Sequence, residues 1–286
     1  MGGVIRNKVA KVVSGAFIGF DGKLIEVETD MKHGLPGLQI VGMGNKAIDE
    51  ARQRVRSAIA NSQLDFPAQR LTVNLAPAEL PKDGTHLDLP IALSILVASG
   101  QLKQSEVDIA FFAGELSLNG TLRPIRGAIV LAELAKQSGF SRLVLPLQNA
   151  PQASLVHGIE IIGVTSLNEL YKVLRGFLPA PTPPPQKLHS SANHQAPTFD
   201  AIVGHEHAKR ALAIAVAGRH AMLFSGPPGS GKTLLAKSLL SILPPLTDTE
   251  VLEVTKLHSL SSGDSHDVQT VPPLRSPHHS VTLTAL

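Results

Sequence analysis

Gly226-Pro227-Pro228-Gly229-Ser230-Gly231-Lys232-Thr233 is a complete Gly-x-x-x-x-Gly-Lys-Thr motif, and no other stretch restricts the surrounding fold as tightly. Such a loop cradles phosphate only when a strand delivers it and a helix starts at its lysine. Both flanks are predicted here. His220 to Ser225 is a short apolar run that suits a buried parallel strand, and Lys232 to Leu243 places Leu235, Leu239 and Ile242 at helical spacing before Pro244-Pro245 stops the helix. Gly229 and Gly231 would let backbone N–H groups converge on phosphate oxygens. Lys232 would set a cation near the outer phosphates, and the Thr233 hydroxyl would ligate magnesium. With Leu234, which follows, residues Gly226 to Thr233 form the expected ATP-binding set.

Composition narrows the rest. The 286 residues suffice for two domains, and 43% hydrophobic with 17% charged residues describes globular protein. Aromatic residues are only 3%, with no Trp, so the cores must be aliphatic and a base-stacking platform is not expected. A net charge of +3 demands no nucleic-acid partner by itself; any such site would be a local patch. The absence of cysteine excludes disulfides and thiolate chemistry and fits a cytoplasmic location. Arg6, Lys8 and Lys11 precede an apolar stretch too short and too broken for a signal peptide, Met1-Gly2 lacks the rest of a myristoylation signal, and no apolar run is long enough to span a bilayer.

In chain order, three strands are predicted between Val9 and Met43, with turns at Asp21-Gly22 and His33-Gly34; Ile25 and Val27 share one face of the middle strand. Lys46 to Ser62 reads as an amphipathic helix burying Ile48, Ala51, Val55, Ala58 and Ile59, with Arg52, Arg54 and Arg56 assigned to its outer face. Like charges at Arg52 and Arg56 favour a solvated face or an anionic partner, either DNA or a neighbouring subunit, while Glu50 can pair with Arg54. A strand over Arg70–Ala76, a largely apolar helix over Leu87–Ser99, and a strand Phe111–Leu118 with its hairpin partner Thr121–Ile125 follow. Helix Ala128–Ser138, strands Arg142–Leu145 and Ile159–Val164, and helix Leu167–Arg175 close the unit. Without regular βαβ alternation this is an α+β domain, placed at residues 1–178. The proline-rich residues 179–197 read as a linker. A second domain at 198–286 begins with helix Glu206–Ala217, capped by Gly218, and continues into the motif as the start of an α/β P-loop domain.

Phe199-Asp200-Ala201-Ile202-Val203-Gly204-His205-Glu206, the loop itself and Arg275-Ser276-Pro277-His278-His279 resemble the magnesium-chelatase-like AAA+ ATPases of the YifB and ComM type. Gly34-Leu35-Pro36-Gly37, Glu50-Ala51-Arg52-Gln53-Arg54-Val55-Arg56, Val73-Asn74-Leu75-Ala76-Pro77-Ala78 and Asp88-Leu89-Pro90-Ile91-Ala92-Leu93 are similar to the first domain of that family. The resemblance implies a ribosomal S5 domain 2-like fold related to the proteolytic domain of Lon, then an AAA+ domain. In Lon-type sites a serine follows Pro-Lys-Asp-Gly and a lysine follows a downstream glycine. Here Pro81-Lys82-Asp83-Gly84 leads to His86 at the nucleophile position, and Ile129 stands two residues after Gly127. A Ser–Lys mechanism is therefore not expected, and the domain is read as a scaffold or partner-binding module.

An AAA+ ATPase also needs a strand ending in paired acids, a polar sensor and an arginine from a neighbouring subunit. Asp248, Glu250, Glu253, Asp264 and Asp267 stand in helix or loop contexts, so Leu286 is read as a truncation and the chain as binding ATP at most. His258, His278 and His279 lack carboxylates at metal-ligand spacing and are read as loop or interface histidines. The resemblance implies that the intact protein is an ATP- and magnesium-dependent ring acting on DNA in branch migration. Alternatives are a metal-inserting or protein-remodelling ATPase, or a noncatalytic remnant.

Overall fold

In the computed structural model, the described residues are 9–42, 46–82, 84–181, 198–261, 267–277 and 280–281. Contacts within the chain divide it into two compact units, Met1–Gln186 with Thr255–Val268, and Lys187–Val254 with Gln269–Leu286. Among the described residues no helix is long and apolar enough to cross a membrane.

Among its described residues unit 1 is built on three sheets. Strands β1 (Ala10–Ile18) and β2 (Asp21–Lys32) form an antiparallel hairpin; β3 (Gly37–Val41) leads into α1 (Lys46–Asn61) and returns as β4 (Arg70–Ala76). The sheet order is β1-β2-β4-β3, with β3 and β4 parallel and β2 and β4 antiparallel. In β2, Ile25, Val27 and Thr29 are buried while the residues between them are half-exposed, the alternation of a sheet with one face on the core. Ile18 pairs with Asp21, so the connecting turn is Gly19-Phe20 and not the predicted Asp21-Gly22. Gly22 is a paired strand residue instead; Leu134 would lie only 3.1 Å from a Cβ built there, so its small size serves close packing.

Helix α2 (Asp88–Ala98) is the centre of the core. Every residue from Asp88 to Leu96 is buried, as expected of a helix apolar on all sides. It packs with β1, β2 and α1, and its Ser94 hydroxyl meets Thr29 Oγ1 at 2.7 Å while bonding to Ile91 O. The short α3 (Gln104–Val107) follows. The predicted strand over Phe111–Leu118 is two strands: β5 (Ala110–Phe112) joins one sheet and β6 (Glu115–Leu116) pairs with β7 (Leu122–Arg123) in another. The intervening Ala113 and Gly114 donate to Val144 O and His86 O, which turns the chain from one sheet to the next. Helix α4 (Ala128–Gln137), β8 (Arg142–Pro146), α5 (Ala150–Ala153), β9 (Glu160–Val164) and α6 (Leu167–Leu174) complete a parallel sheet ordered β5-β8-β9 with its helices. Antiparallel and parallel sheets beside helices make an α+β unit, in agreement with the sequence.

In the second segment of the chain, α7 (Glu206–Gly218), α8 (Lys232–Ser238) and α9 (Asp248–Ser261) are the helices, with a 3₁₀ turn extending α8 through Leu239–Ser241. The C-cap of α7 is Arg219, in left-handed conformation at φ 53°, rather than Gly218, which stays helical. Helix α9 carries Asp248, Glu250 and Glu253, which the sequence left in helix or loop contexts; its apolar positions follow no clean stripe, but Thr247 and Glu250 cap it reciprocally, each 2.9–3.4 Å from the other's backbone N–H. The predicted strand over 220–225 is not formed. Those residues form no helix or strand, and Leu223 is 90% exposed. A parallel strand exists only through its neighbours, and unit 2 has no strand among its described residues. Met222 and Phe224 line a cavity of about 610 Å³ together with Leu212, Leu239 and Leu243.

Candidate nucleotide-binding site

The Gly-Pro-Pro-Gly-Ser-Gly-Lys-Thr loop joins residues 220–225 to α8 within unit 2. Gly229 and Gly231 take φ of +80° and +78°, where a side chain would be strained, and Gly231 is the N-cap of α8. The loop is tied by Ser230 N donating to Pro227 O at 3.4 Å, and α8 begins with Leu235 N on Gly231 O at 2.9 Å. Among the described residues, the N–H groups of Gly229, Gly231, Lys232 and Thr233 have no acceptor. Four unused donors in one turn, at a helix start with no acid in its first turn, make a strongly anion-attracting surface.

Lys232 is folded back over this turn. Its ammonium donates to Gly226 O at 2.9 Å, Pro227 O at 2.8 Å and Ser230 Oγ at 3.3 Å. An ammonium has three protons to place, and two loop carbonyls with the Ser230 hydroxyl accept them all. Gly226, Pro227, Pro228 and Gly229 are exposed, and Ser230 is half-buried. Thr233 is exposed, its hydroxyl making no hydrogen bond among the described residues, and Leu234 is 45% exposed. The structure places Gly226 to Leu234, the residues singled out from the sequence, in one turn and the start of α8. The sequence missed His205, which lies in left-handed conformation before α7 with Nε2 3.6 Å from the position of a Cβ on Gly231.

An exposed hydroxyl oxygen is a hard donor suited to magnesium, so Thr233 fits the ion as one ligand. The acidic candidates are otherwise engaged or distributed. Glu250 accepts from Thr247 N and Oγ1, both at 2.9 Å, and these bonds hold its carboxyl below the usual range. Glu253 lies on α9, Asp267 follows it, and Asp264 lies outside the described residues. Among the described residues no group of three or more His, Asp or Glu is placed to hold a metal. His258 is on α9, while His278, His279, Asp83, Arg6, Lys8 and most of the 179–197 linker fall outside the described residues.

The three arginines of α1 do not form one face. At 3.6 residues per turn, Arg54 is rotated about 200° from Arg52, whereas Arg52 and Arg56 are nearly aligned. Arg54 turns inward. Its Nε and Nη2 donate to Asp88 Oδ2 and Oδ1 at 2.7 and 3.0 Å, with Glu50 at 3.8 Å, the pairing that the sequence suggested, as a weaker partner. Asp88 is 1% exposed and also accepts from Leu116 N at 3.3 Å. Burial pushes the Asp88 carboxyl up to about 6 against the pull of Arg54. Arg56 is exposed and stands 5.5 Å over the Phe66 ring; Arg52 is half-buried.

At the Lon-like positions, His86 is buried and its Nε2 lies 2.8 Å from Gly15 O, while Ile129 is fully buried in α4. Lys82 is buried too, its ammonium donating to Pro77 O at 2.5 Å and Leu80 O at 3.0 Å, and burial lowers its affinity for the proton.

A loop of unpaired donors before a helix stands beside an α+β unit, and the comparisons with known proteins give the family. Residues 27–149 match the family described as subunit ChlI of Mg-chelatase, and residues 198–286 match magnesium chelatase, subunit ChlI. The chain is 42% identical to competence protein ComM of Haemophilus influenzae over 283 residues, 97% of this chain and 55% of that protein. It is 40% identical to YifB of Escherichia coli over 272 residues, 95% of this chain and 53% of that relative. It is 27% identical to the Lon protease of Mycolicibacterium smegmatis over 154 residues, 51% of this chain and 19% of the protease. This chain belongs to the magnesium-chelatase-like ATPase family of ComM and YifB, and it spans about half the length of those relatives.

Proposed function

We propose that residues 198–286 are the nucleotide-cradling part of an AAA+ P-loop domain and that residues 1–178 form a Lon-like, S5 domain 2-like unit without a Ser–Lys pair, joined by the 179–197 linker. The observation that carries this reading is the set of four unused N–H donors beside Lys232. Gly226 to Leu234 would surround the triphosphate of ATP, and Thr233 would contribute its hydroxyl to the magnesium ion. Magnesium would neutralise phosphate charge, and this chain's residues would orient the nucleotide.

The test is a titration of the chain with a fluorescent ATP analogue. Saturable binding displaced by ATP and ADP is expected. Thr233→Ala should weaken the magnesium complex by about 10-fold, the value of one charge-assisted contact, and leave binding in excess chelator unchanged. Binding that no nucleotide displaces would refute the proposal.

The intact protein, by its relation to ComM, is proposed to be an oligomeric ring driven by ATP along DNA in branch migration, with Arg52 and Arg56 as the phosphate contacts from unit 1. Arg54 has no part in this, being committed to Asp88. The double variant Arg52→Glu/Arg56→Glu should flatten the dependence of log affinity on log salt by about two, one for each lost phosphate contact. Anisotropy of a labelled duplex across a salt series measures this, and an unchanged slope would remove these arginines from the interface. The match to Mg-chelatase subunit ChlI supports a second reading, an ATPase that remodels a protein or metal-inserting partner. Absence of any salt-sensitive DNA binding would favour it.

A further inference from the structure

Unit 1 contains a cleft of about 350 Å³ that neither the nucleotide loop nor the α1 arginines use. Phe17 of β1, Thr85 and His86 from the loop before α2, Glu115 of β6, and Ile125 and Arg126 from the segment before α4 line it. Each polar group there has a defined state. A backbone carbonyl only accepts, so the 2.8 Å contact to Gly15 O places the His86 proton on Nε2 and leaves Nδ1 as a lone-pair acceptor. Burial, aided by the nearby charge of Arg126, lowers His86 to about 4, so the ring is neutral at physiological pH. Nδ1 receives no donor among the described residues. Gly84, at φ +113°, also lines the cleft, and a Cβ on it would lie 2.8 Å from Nδ1; glycine keeps that nitrogen open.

Glu115 accepts the Thr85 hydroxyl and has Arg123 Nη1 at 3.7 Å, contacts that leave lone pairs on both carboxylate oxygens. Arg126 is exposed and has no carboxylate within ion-pair distance among the described residues. Phe17 and Ile125 supply apolar wall, and the Phe17 ring stands 5.0 Å from that of His86. The cleft therefore offers two acceptors, one cation and an apolar surface in a volume at the small end of ligand cavities.

We propose that this cleft binds a zwitterionic amino acid or dipeptide, its ammonium toward Glu115 and His86 Nδ1, its carboxylate toward Arg126 and its side chain against Phe17 and Ile125. No bond is made or broken. The Thr85 hydroxyl is already held by Glu115, and the imidazole is too weak a base to activate it.

Calorimetry of the whole chain with Ala-Leu, N-acetyl-Ala-Leu and Ala-Leu-amide tests the proposal. The free dipeptide should bind, and each blocked form should bind at least about 10-fold more weakly, the value of one charge-assisted contact. Arg126→Gln, at an exposed position that leaves the fold intact, should reduce Ala-Leu affinity at least about 10-fold while removing the preference for free acid over amide. The ¹⁵N resonance of His86 Nδ1 should shift on addition of Ala-Leu in the unaltered chain. No heat with Ala-Leu at about 10 mM, blocked forms that bind as tightly as the free dipeptide, or an unaffected Arg126→Gln variant would each overturn the proposal.

Discussion

Lys232→Ala is expected to lower the affinity of the chain for ATP by about 10- to 100-fold while leaving its melting temperature unchanged. Among the described residues the Lys232 ammonium hydrogen-bonds only to its own loop, at Gly226 O, Pro227 O and Ser230 Oγ, so its removal exposes acceptors already accessible to water and uncovers no core. The loss falls on binding instead. A hydrogen bond to a charged group contributes about 1.5–3 kcal/mol, which is roughly one to two powers of ten in affinity. To reach a phosphate the ammonium must exchange loop carbonyls for phosphate oxygens, an exchange of neutral for charged acceptors that favours the bound state. Lys232→Arg should rescue only part of the loss, because a planar fork cannot occupy the place of a compact ammonium within this turn. Titrations with a fluorescent nucleotide, paired with thermal melts, separate the two effects. Unchanged affinity in Lys232→Ala would move the nucleotide site away from the loop.

The contrast between loop and preceding strand shows what a sequence can carry. The loop's meaning is local: glycines at positive φ, a lysine and a helix start are all encoded within eight residues, and the structure brings them together. The strand at 220–225 is not local. Its residues are apolar enough for a sheet, but sheet formation belongs to the neighbours, and with no strand among the described residues of unit 2 Leu223 is left exposed and Met222 and Phe224 line a cavity. The apolar pattern was read correctly and the missing partners were not visible in it. Strand β4 and helix α1 followed their patterns because both find partners within unit 1. Of the α1 arginines, Arg54 was misplaced for a simpler reason: i and i+2 are on opposite sides of a helix, so it could have been assigned inward from spacing alone. Its partner was also signalled, since Asp88 is the one charge in an otherwise apolar helix and had to meet a cation. The cleft of unit 1 had no such signal. It is assembled from Phe17, His86, Glu115 and Arg126, more than a hundred positions from first to last, and only the fold brings them together.

The Arg54–Asp88 pair yields the largest expected effect on stability. Arg54→Ala should destabilise unit 1 by about 3–5 kcal/mol at pH 8, because it strands a carboxylate that is 1% exposed with Leu116 N as its remaining donor. The pH dependence distinguishes this from simple loss of packing. In the folded chain burial already holds Asp88 at about 6, and without Arg54 it rises further. A carboxyl raised above its unfolded value near 3.9 binds protons more tightly when folded, so its contribution to stability grows as pH falls. The variant, with the higher folded value, gains more, and its deficit should shrink between pH 8 and pH 5. His86, held at about 4 when folded, works in the opposite direction: its contribution is lost as pH falls below the unfolded value of 6.5. That loss is common to both chains and cancels in the difference. Urea denaturation at the two pH values measures the deficit. Adding Asp88→Asn to Arg54→Ala should restore much of the stability at pH 8 and abolish the pH dependence of what remains, because a neutral amide needs no counter-charge. A deficit below about 1 kcal/mol, the range of exposed ion pairs, or one that is equal at pH 8 and pH 5, would show that Asp88 is solvated in the folded protein and that α1 and α2 are held together by their apolar contacts alone.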